Sequence, residues 1–573
     1  MKKTVALLLL AAMLLTSLVG CGYDENDKGA IIPLYLSGYQ RNLDPTAFIY
    51  DKDTIKYTTL IYEGLTVIAE DGSIEPGLAE EWYTEKDRLT GETVLYFKLK
   101  SSRWNDGRLL LADHFVYAWK RLLSPEVYAP AASLLYDIKN AKAVKSGEMT
   151  IDDLGVAAVD NSLLEVTFEK DIDIDLFLEA VASPALVPIR DDVVTGEHIT
   201  DWASSPENIA TNGQFTMKAM EYGGKFNVEK STYYNTTDED TVSPNKYVKP
   251  FRLITDFSSS LEKQLEKFNN GEIYYLDALP AEEYDNYEDD LTVQPLLSTF
   301  SFFFNCSNGI LSDAYARKAM SVALDRTAIA EAMGCGTEPA TGIVSNGVFD
   351  TKMKKSSSFR EAGGELISAA ADIDTAKSLM NDVSNDGSTY TLKIRKNKAD
   401  QKAAAEAAVA AWKQLGINVE IKELSDNDFY TALTTSDFDI IALDYQGLST
   451  SAYSFLAPFA KYYSGSVVSV SDDSTGFTPH ITNFAEDNYD QAIDAVLEAT
   501  TRADRAAALH DAESLLVEYA PIAPVVFYNN YYLESSELSG LDSTAFGTRI
   551  FKDAKLKNYL EKNEALLAAE SEK

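Results

Sequence analysis

The stretch from Tyr390 to Leu443 limits the possible folds more than any other part of the chain. Tyr390, Leu392 and Ile394 alternate with Thr391, Lys393 and Arg395, the period-two pattern of a half-buried strand. Ala405, Ala408, Trp412 and Leu415 then recur at helical spacing, with Asp400 expected as the N-cap and Gly416 standing where a glycine ends a helix. Ile417, Val419 and Ile421 alternate again, and Phe438 to Leu443 forms a short apolar strand. Strands joined through a helix pair in parallel, and the crossover is right-handed. A βαβ unit is therefore expected, which commits the chain to a mixed α/β fold.

A second helix is expected from about Asp313, with Arg317 four residues on and placed to pair with it, and an apolar stripe through Ala316, Met320, Ala323 and Leu324. A third covers about Ala503 to Tyr519 and stops before Pro521. Residues 90 to 190 read differently. Leu95, Phe97 and Leu99, then Leu164, Val166 and Phe168, alternate as half-buried strands around one amphipathic helix near Ala112 to Leu123, which predicts a separate β-rich subdomain. Stretches 231–249 and 464–480, rich in Ser, Thr, Asn, Asp and Gly, read as surface excursions. The 573 residues leave room for about three or four domains.

A net charge of −38 repels phosphate backbones, so nucleic acid is not expected as a partner. With four histidines, no His-Glu-x-x-His, no Cys-x-x-Cys, no Gly-x-Ser-x-Gly and no Walker loop, the sequence offers no metal site, no cofactor site and no catalytic constellation, and an enzyme is not expected. Asp171, Asp173 and Asp175 alternate along one face, without the glycine turn and bidentate Glu of a calcium loop, and read as a solvated acidic face. Cys306 and Cys335 either form one bridge or stand as small buried thiols.

The N-terminus sets the compartment. Lys2 and Lys3 precede eleven apolar residues, Val5 to Leu15, the pattern of a secretory signal and too short to span a bilayer, which needs about 20. Leu18, Val19, Gly20 and Cys21 resemble a bacterial lipobox. That resemblance implies a signal peptide over 1–20, acyl chains on Cys21 and a polar tether over 21–29. The mature protein is then expected on the cell membrane, lipid-anchored and facing the extracytoplasmic side.

A series of phrases carries a wider resemblance. Leu43-Asp44-Pro45 opens it, followed by Tyr62-Glu63-Gly64-Leu65, Asp71-Gly72, Leu78-Ala79-Glu80, Trp82, Phe97-Lys98-Leu99, Trp104-Asn105-Asp106-Gly107 and Trp119-Lys120-Arg121. Further on stand Asn212-Gly213 with Phe215, Phe304-Asn305, Arg317-Lys318-Ala319, Ala323-Leu324-Asp325-Arg326, Leu415-Gly416-Ile417, Phe438-Asp439, Tyr489-Asp490 and Pro521-Ile522-Ala523-Pro524. In this order they resemble the family-5 extracellular solute-binding proteins, the oligopeptide- and dipeptide-binding lipoproteins of ABC importers, over about residues 40 to 550.

The resemblance implies a two-lobed, Venus-flytrap fold with an additional β-rich subdomain: lobe I over 30–63, 186–302 and 522–573, the subdomain over 64–185, and lobe II over 303–521. It implies a peptide or peptide-like ligand held between the lobes, ABC permease subunits as partners, and a monomer. Ligand-binding candidates are Glu63, Gly64 and Leu65 beside the cleft, Tyr136 in its wall, and Tyr445, Gln446 and Gly447 in the turn after the Phe438 strand. Tyrosine outnumbers tryptophan, 32 to 5, as suits a cleft for variable ligands. One departure stands out. The family's peptide binders carry an Asp that pairs with the ligand's α-ammonium, and Leu448 occupies that place here, with Asp444 four residues earlier. The ligand is therefore expected either to lack a free α-amine or to place it on another carboxylate, Asp444 or Glu63. The alternatives are a carrier of another solute, such as an oligosaccharide or a metal chelate, and a sensory or adhesive surface lipoprotein.

Overall fold

The computed structural model describes residues 28–47, 51–195, 199, 201–235, 246–334, 336–350, 357–471, 474–477 and 480–571. The signal segment, Cys21 and Cys335 lie outside the described residues. Three sheets organise the molecule. In the first, Ile31–Pro33 runs parallel to Arg252–Asp256, which pairs antiparallel with Lys225–Lys230 and, beyond it, Phe215–Met220. The second is antiparallel, Ala79–Lys86, Thr93–Leu99, Leu163–Thr167 and Val156–Ala158 in spatial order, with helix Ala112–Leu123 packed on it.

The third sheet has seven strands, in the order Tyr275–Leu276, Ile522–Glu534, Thr292–Phe304, Ile440–Gln446, Thr389–Arg395, Asn418–Leu424, with Thr337–Pro339 on the far part of Ile522–Glu534. The βαβ unit is present as expected: Thr389–Arg395, helix Ala399–Lys413 and Asn418–Leu424, the strands parallel. From Asn418–Leu424 the chain returns through helix Asp426–Thr434 to Ile440–Gln446, on the other side of Thr389–Arg395 and again parallel to it. Crossovers of one hand running in opposite directions put their helices on opposite faces. Accordingly, Ala404, Ala405, Ala408 and Trp412 of the first helix pack in one core cluster, and Phe429, Ala432 and Leu433 of the second in another.

Two expectations at helix ends need correcting. The N-cap position of Ala399–Lys413 is Lys398, and Asp400 lies inside the first turn, where a carboxylate still favours the positive end of the helix dipole. Asp313 does cap helix Ala314–Val322, accepting from the Tyr315 N–H at 2.8 Å. Arg317, however, turns away from it and donates to the carbonyls of Leu311, Tyr519 and Ala520, closing the C-terminal end of helix Arg502–Tyr519. A buried guanidinium finds more acceptors there than one exposed carboxylate offers. Asp173, from the acidic alternation, caps helix Ile174–Ala180. Cys306 is half-buried, its Sγ 3.6 Å from the Phe304 carbonyl, and burial pushes its pKa to about 11.

Two strands of 13 residues, Thr292–Phe304 and Ile522–Glu534, run the length of the third sheet. Their ladder is continuous from Thr292 to Pro295, breaks, and resumes at Thr299, with a second register shift between Phe300 and Ser301. Beyond the break the first strand also pairs with Ile440–Gln446, starting at Ser298, so the expected lobe boundary at 302/303 falls within an unbroken ladder.

Several signature phrases are joints between segments. Arg121 forks onto Asp44 at 2.6 and 2.9 Å, and Trp202 donates to the same carboxylate at 3.0 Å. Burial raises the pKa of Asp44, but hydrogen bonding and the charge of Arg121 outweigh it and hold the group below the ordinary carboxylate value. Asn105 exchanges hydrogen bonds with Thr211, and Asp106 pairs with Arg190 at 2.6 Å. Lys145 is a buried amine that donates to the carbonyls of Ser124, at 2.9 Å, and Val127, at the end of helix Ala112–Leu123. Burial lowers its pKa from 10.5 to about 7. A base depressed in the folded state binds fewer protons there than in the unfolded chain, so stability should rise with pH between 7 and 10.5. From pH 7 to pH 9 the gain should approach about 2 kcal/mol in a denaturant titration, at about 1.4 kcal/mol per unit. A Lys145→Met variant should lose that slope.

Candidate functional site

In an open α/β sheet a ligand crevice forms at the carboxyl ends of the strands, where successive crossovers leave in opposite directions. Here that place lies between Thr389–Arg395 and Ile440–Gln446. Their carboxyl ends carry Arg395, Asp444, Tyr445 and Gln446, and the start of helix Ala399–Lys413 adds Lys398, Asp400 and Gln401. Facing them stand Asp51, Lys52 and Asp53, at the entry to helix Thr54–Ile61.

The charges alternate across this gap. Asp51 binds Arg395 at 2.8 Å, Lys52 reaches Asp53 at 3.1 Å, and Lys56 links Asp53 and Asp277 at 2.8 and 2.7 Å. Asp444 accepts from the Tyr528 hydroxyl at 2.9 Å and from Gln401 at 3.3 Å. Burial keeps Asp444 above its ordinary pKa, opposed by Lys398 and Lys52. Burial alone would depress both lysines, but the carboxylates of Asp53 and Asp444 reverse the sign and hold them charged. The arrangement can accept a ligand group of either charge, because each sign already has counter-ions in place.

Polar atoms without partners cluster beside these charges. Ser298 and Gln446 are cross-strand partners, so their side chains share one face of the sheet, the face that also carries Asp444. Ser298 Oγ, Gln446 Oε1 and Gln401 Oε1 are buried and have no hydrogen-bond partner. Buried polar groups are normally satisfied, so these three beside the crevice are groups that a water or a bound molecule there would satisfy.

The expected site residues fall into separate places. Tyr445 and Gln446 line a small cavity with Leu448, Ser454, Pro458 and residues 130–134, and none of its lining side chains is charged. The Tyr445 hydroxyl donates to the Phe455 carbonyl at 2.7 Å, and its ring meets Phe303, Phe455 and Phe459. Gly447 faces the Phe455 ring so closely that a Cβ would stand 2.3 Å from it. Tyr136 is buried and bridges to the Tyr462 carbonyl at 2.7 Å. Glu63 and Gly64 line a different, larger cavity, while Leu65 is fully buried, its carbonyl accepting from Gly77 and Ala79. Glu63 is held by Lys100 at 3.2 Å and by Asn212, which bonds its backbone.

The family model for bacterial extracellular solute-binding proteins, family 5 (middle part), matches residues 73–466. The chain belongs to that family. It is 30% identical over 491 residues to the dipeptide-binding protein DppE of Bacillus subtilis, covering 84% of each chain. Among solved structures it matches OppA of Listeria monocytogenes bound to peptide with TM-score 0.75 at 21% identity, over 92% of this chain and 99% of that one. The murein tripeptide binding protein MppA of Escherichia coli matches with TM-score 0.74 at 23% identity, over 92% and 98%. Against the unliganded open form of MppA the TM-score is 0.55, at 24% identity and the same coverage. The fold is thus the two-lobed α/β fold of solute-binding proteins, and the family places the protein outside the cytoplasm. Among the described residues, no helix is long and apolar enough to cross a membrane.

Sequence reading missed Lys52, Lys398, Gln401 and Ser298 as site residues. Lys398 and Gln401 were findable, since they flank the first turn of a helix that starts at a carboxyl-end crevice. Lys52 and Ser298 gave no signal, because each comes from a segment distant in the chain.

Proposed function

We propose that this protein captures peptides or peptide-like solutes between its lobes and delivers them to the permease subunits of an ABC importer, held at the membrane by acyl chains on Cys21. The observation that carries this reading is the switch-point crevice of the third sheet, with its paired charges and its orphaned Ser298, Gln401 and Gln446. A peptide backbone brings N–H and C=O groups at short intervals, and its ends bring charge, the chemistry those groups lack. The bending line is the ladder break between Pro295 and Thr299. The TM-scores support a closed arrangement, since the likeness is greater to peptide-bound OppA than to open MppA.

Ligand shifts an open and closed equilibrium by its differential affinity for the closed form. Calorimetry against a mixed tri- to pentapeptide library tests capture, and a library without any binding peptide overturns it. The uncharged cavity around Leu448 adds a sharper expectation. N-acetylated peptides should bind within about threefold of their free counterparts, because no carboxylate stands there to reward an ammonium. A loss of about a hundredfold on acetylation, which is about 2.7 kcal/mol, would place an ammonium site elsewhere in the crevice, with Asp444 first to be tested. For the anchor, Cys21→Ser should move the protein from the membrane fraction to the soluble fraction; retention after a high-salt wash would refute acylation there.

A further inference from the structure

The largest cavity described above lies away from the crevice. It measures about 170 Å³, and its walls come from residues 58–76, 182–187, 214, 234 and 542–552, with none from 303–521. Closing or opening the lobes about Pro295–Thr299 would leave its walls together. Val67, Ile68, Val187, Phe546 and Ile550 give it an apolar body.

Its polar side is unbalanced. Gln214 Oε1 and Glu63 Oε2 are buried oxygens of lining residues that accept no hydrogen bond. Lys100 occupies only the other oxygen of Glu63, at 3.2 Å. The Tyr234 phenol lies alongside, its pKa raised by burial first and then by the charge of Glu63 and a hydrogen bond to it. Glu75 and Asp542 add two further acids to the lining, against the single cation Lys552. An apolar chamber of this size with two unfilled acceptors, one of them anionic, is complementary to an amphipathic cation.

We propose that this cavity is a second ligand site, separate from the interlobe crevice, that takes a small alkyl- or aralkyl-ammonium. Its N–H groups donate to Gln214 Oε1 and Glu63 Oε2, and its hydrocarbon part packs against Val67 and Phe546. No covalent step is involved.

The test uses the full mature chain, with benzylammonium as the probe and benzyl alcohol as its uncharged counterpart of similar shape, both by calorimetry at low salt. Benzylammonium should bind with one-to-one stoichiometry and at least tenfold more tightly than benzyl alcohol. Gln214→Leu and Glu63→Gln should each weaken it at least tenfold, and Val67→Trp, which fills the chamber, should abolish it. Equal affinity for the alcohol, no saturable binding up to millimolar probe, or binding unaltered by Val67→Trp would each overturn the proposal. If Val67→Trp fails to fold, Gln214→Leu decides the matter, since it removes the acceptor at nearly constant volume. Peptide binding measured on the same variants reports separately on the crevice, so failure of one site is distinguishable from failure of the other.

Discussion

Glu513→Ala should destabilise the protein by about 3–5 kcal/mol, the range for removing one partner of a buried ion pair and leaving the other charge uncompensated. Glu513 is fully buried on helix Arg502–Tyr519. It binds the Arg360 guanidinium and accepts the backbone N–H groups of Ile343 and Val344 at 2.8 and 2.9 Å. Alanine removes three interactions and leaves a buried guanidinium and two amides without an acceptor. Glu513→Gln keeps an oxygen for the amides and should lose less. Denaturant midpoints separate the two, and an alanine loss below about 1 kcal/mol would mean that water replaces the carboxylate. The pH dependence gives an independent reading. Burial raises the pKa of Glu513 from 4.5, against the pull of Arg360. The folded chain therefore holds this proton more tightly than the unfolded one, and stability should decline as pH rises from 4.5 through the raised value. In Glu513→Gln that part of the decline should vanish.

The second large effect is expected on closure. Arg505, on helix Arg502–Tyr519, forks onto Asp137 at 2.8 and 3.0 Å, with both side chains about nine-tenths buried. Around it, Arg502 binds Glu179 at 2.7 and 3.0 Å, Lys142 binds Asp494 at 2.5 Å, and Lys170 binds Glu498 at 2.8 Å. If the lobes part here on opening, both ends of these pairs then face water. Arg505→Ala then penalises the closed form alone, by about 3–5 kcal/mol, and should lower ligand affinity by about 10²–10³. Small-angle scattering should show the larger, open radius of gyration persisting at ligand concentrations that close the wild type. Asp137→Ala should do the same, and the double variant should cost less than the sum, because neither charge is then left unpaired. The exposed Lys170–Glu498 pair should contribute less than about 1 kcal/mol and fade with salt. Unchanged affinity in Arg505→Ala would show that the pair forms equally in both states.

The parts legible in the sequence were those in which local pattern and tertiary need coincide. The βαβ unit is one, since Tyr390, Leu392 and Ile394 alternate for the same reason that they are buried. Helix Ala112–Leu123 is another. Asp400 misled because capping chemistry and helix-dipole chemistry favour the same residue types within one turn. Arg317 misled because four-residue spacing suggests a surface pair, whereas its partners are carbonyls, two of them some two hundred residues on. The family phrases were legible as a pattern, but their work was not. Asp44, Arg121 and Trp202 form one joint from three distant segments, and no spacing rule announces it. The site was least legible, since a crevice between lobes is assembled from chain segments that share no local pattern, and residues such as Tyr445 look alike whether they face ligand or core.

The joint at Asp44 has a mechanical consequence. Because Arg121 and Trp202 clamp one carboxylate, helix Ala112–Leu123 is tied to the segments around Asp44 and Trp202, and a rotation of one would carry the others with it. If the lobes bend at the Pro295–Thr299 ladder break as proposed, the Asp137–Arg505 pair is a contact that opening would have to part. A contact resists such a rotation with a torque that grows with its distance from the bend. Substitutions at Asp137 and Arg505 would therefore tune how long the protein stays shut, while those at the bend would set how far it opens.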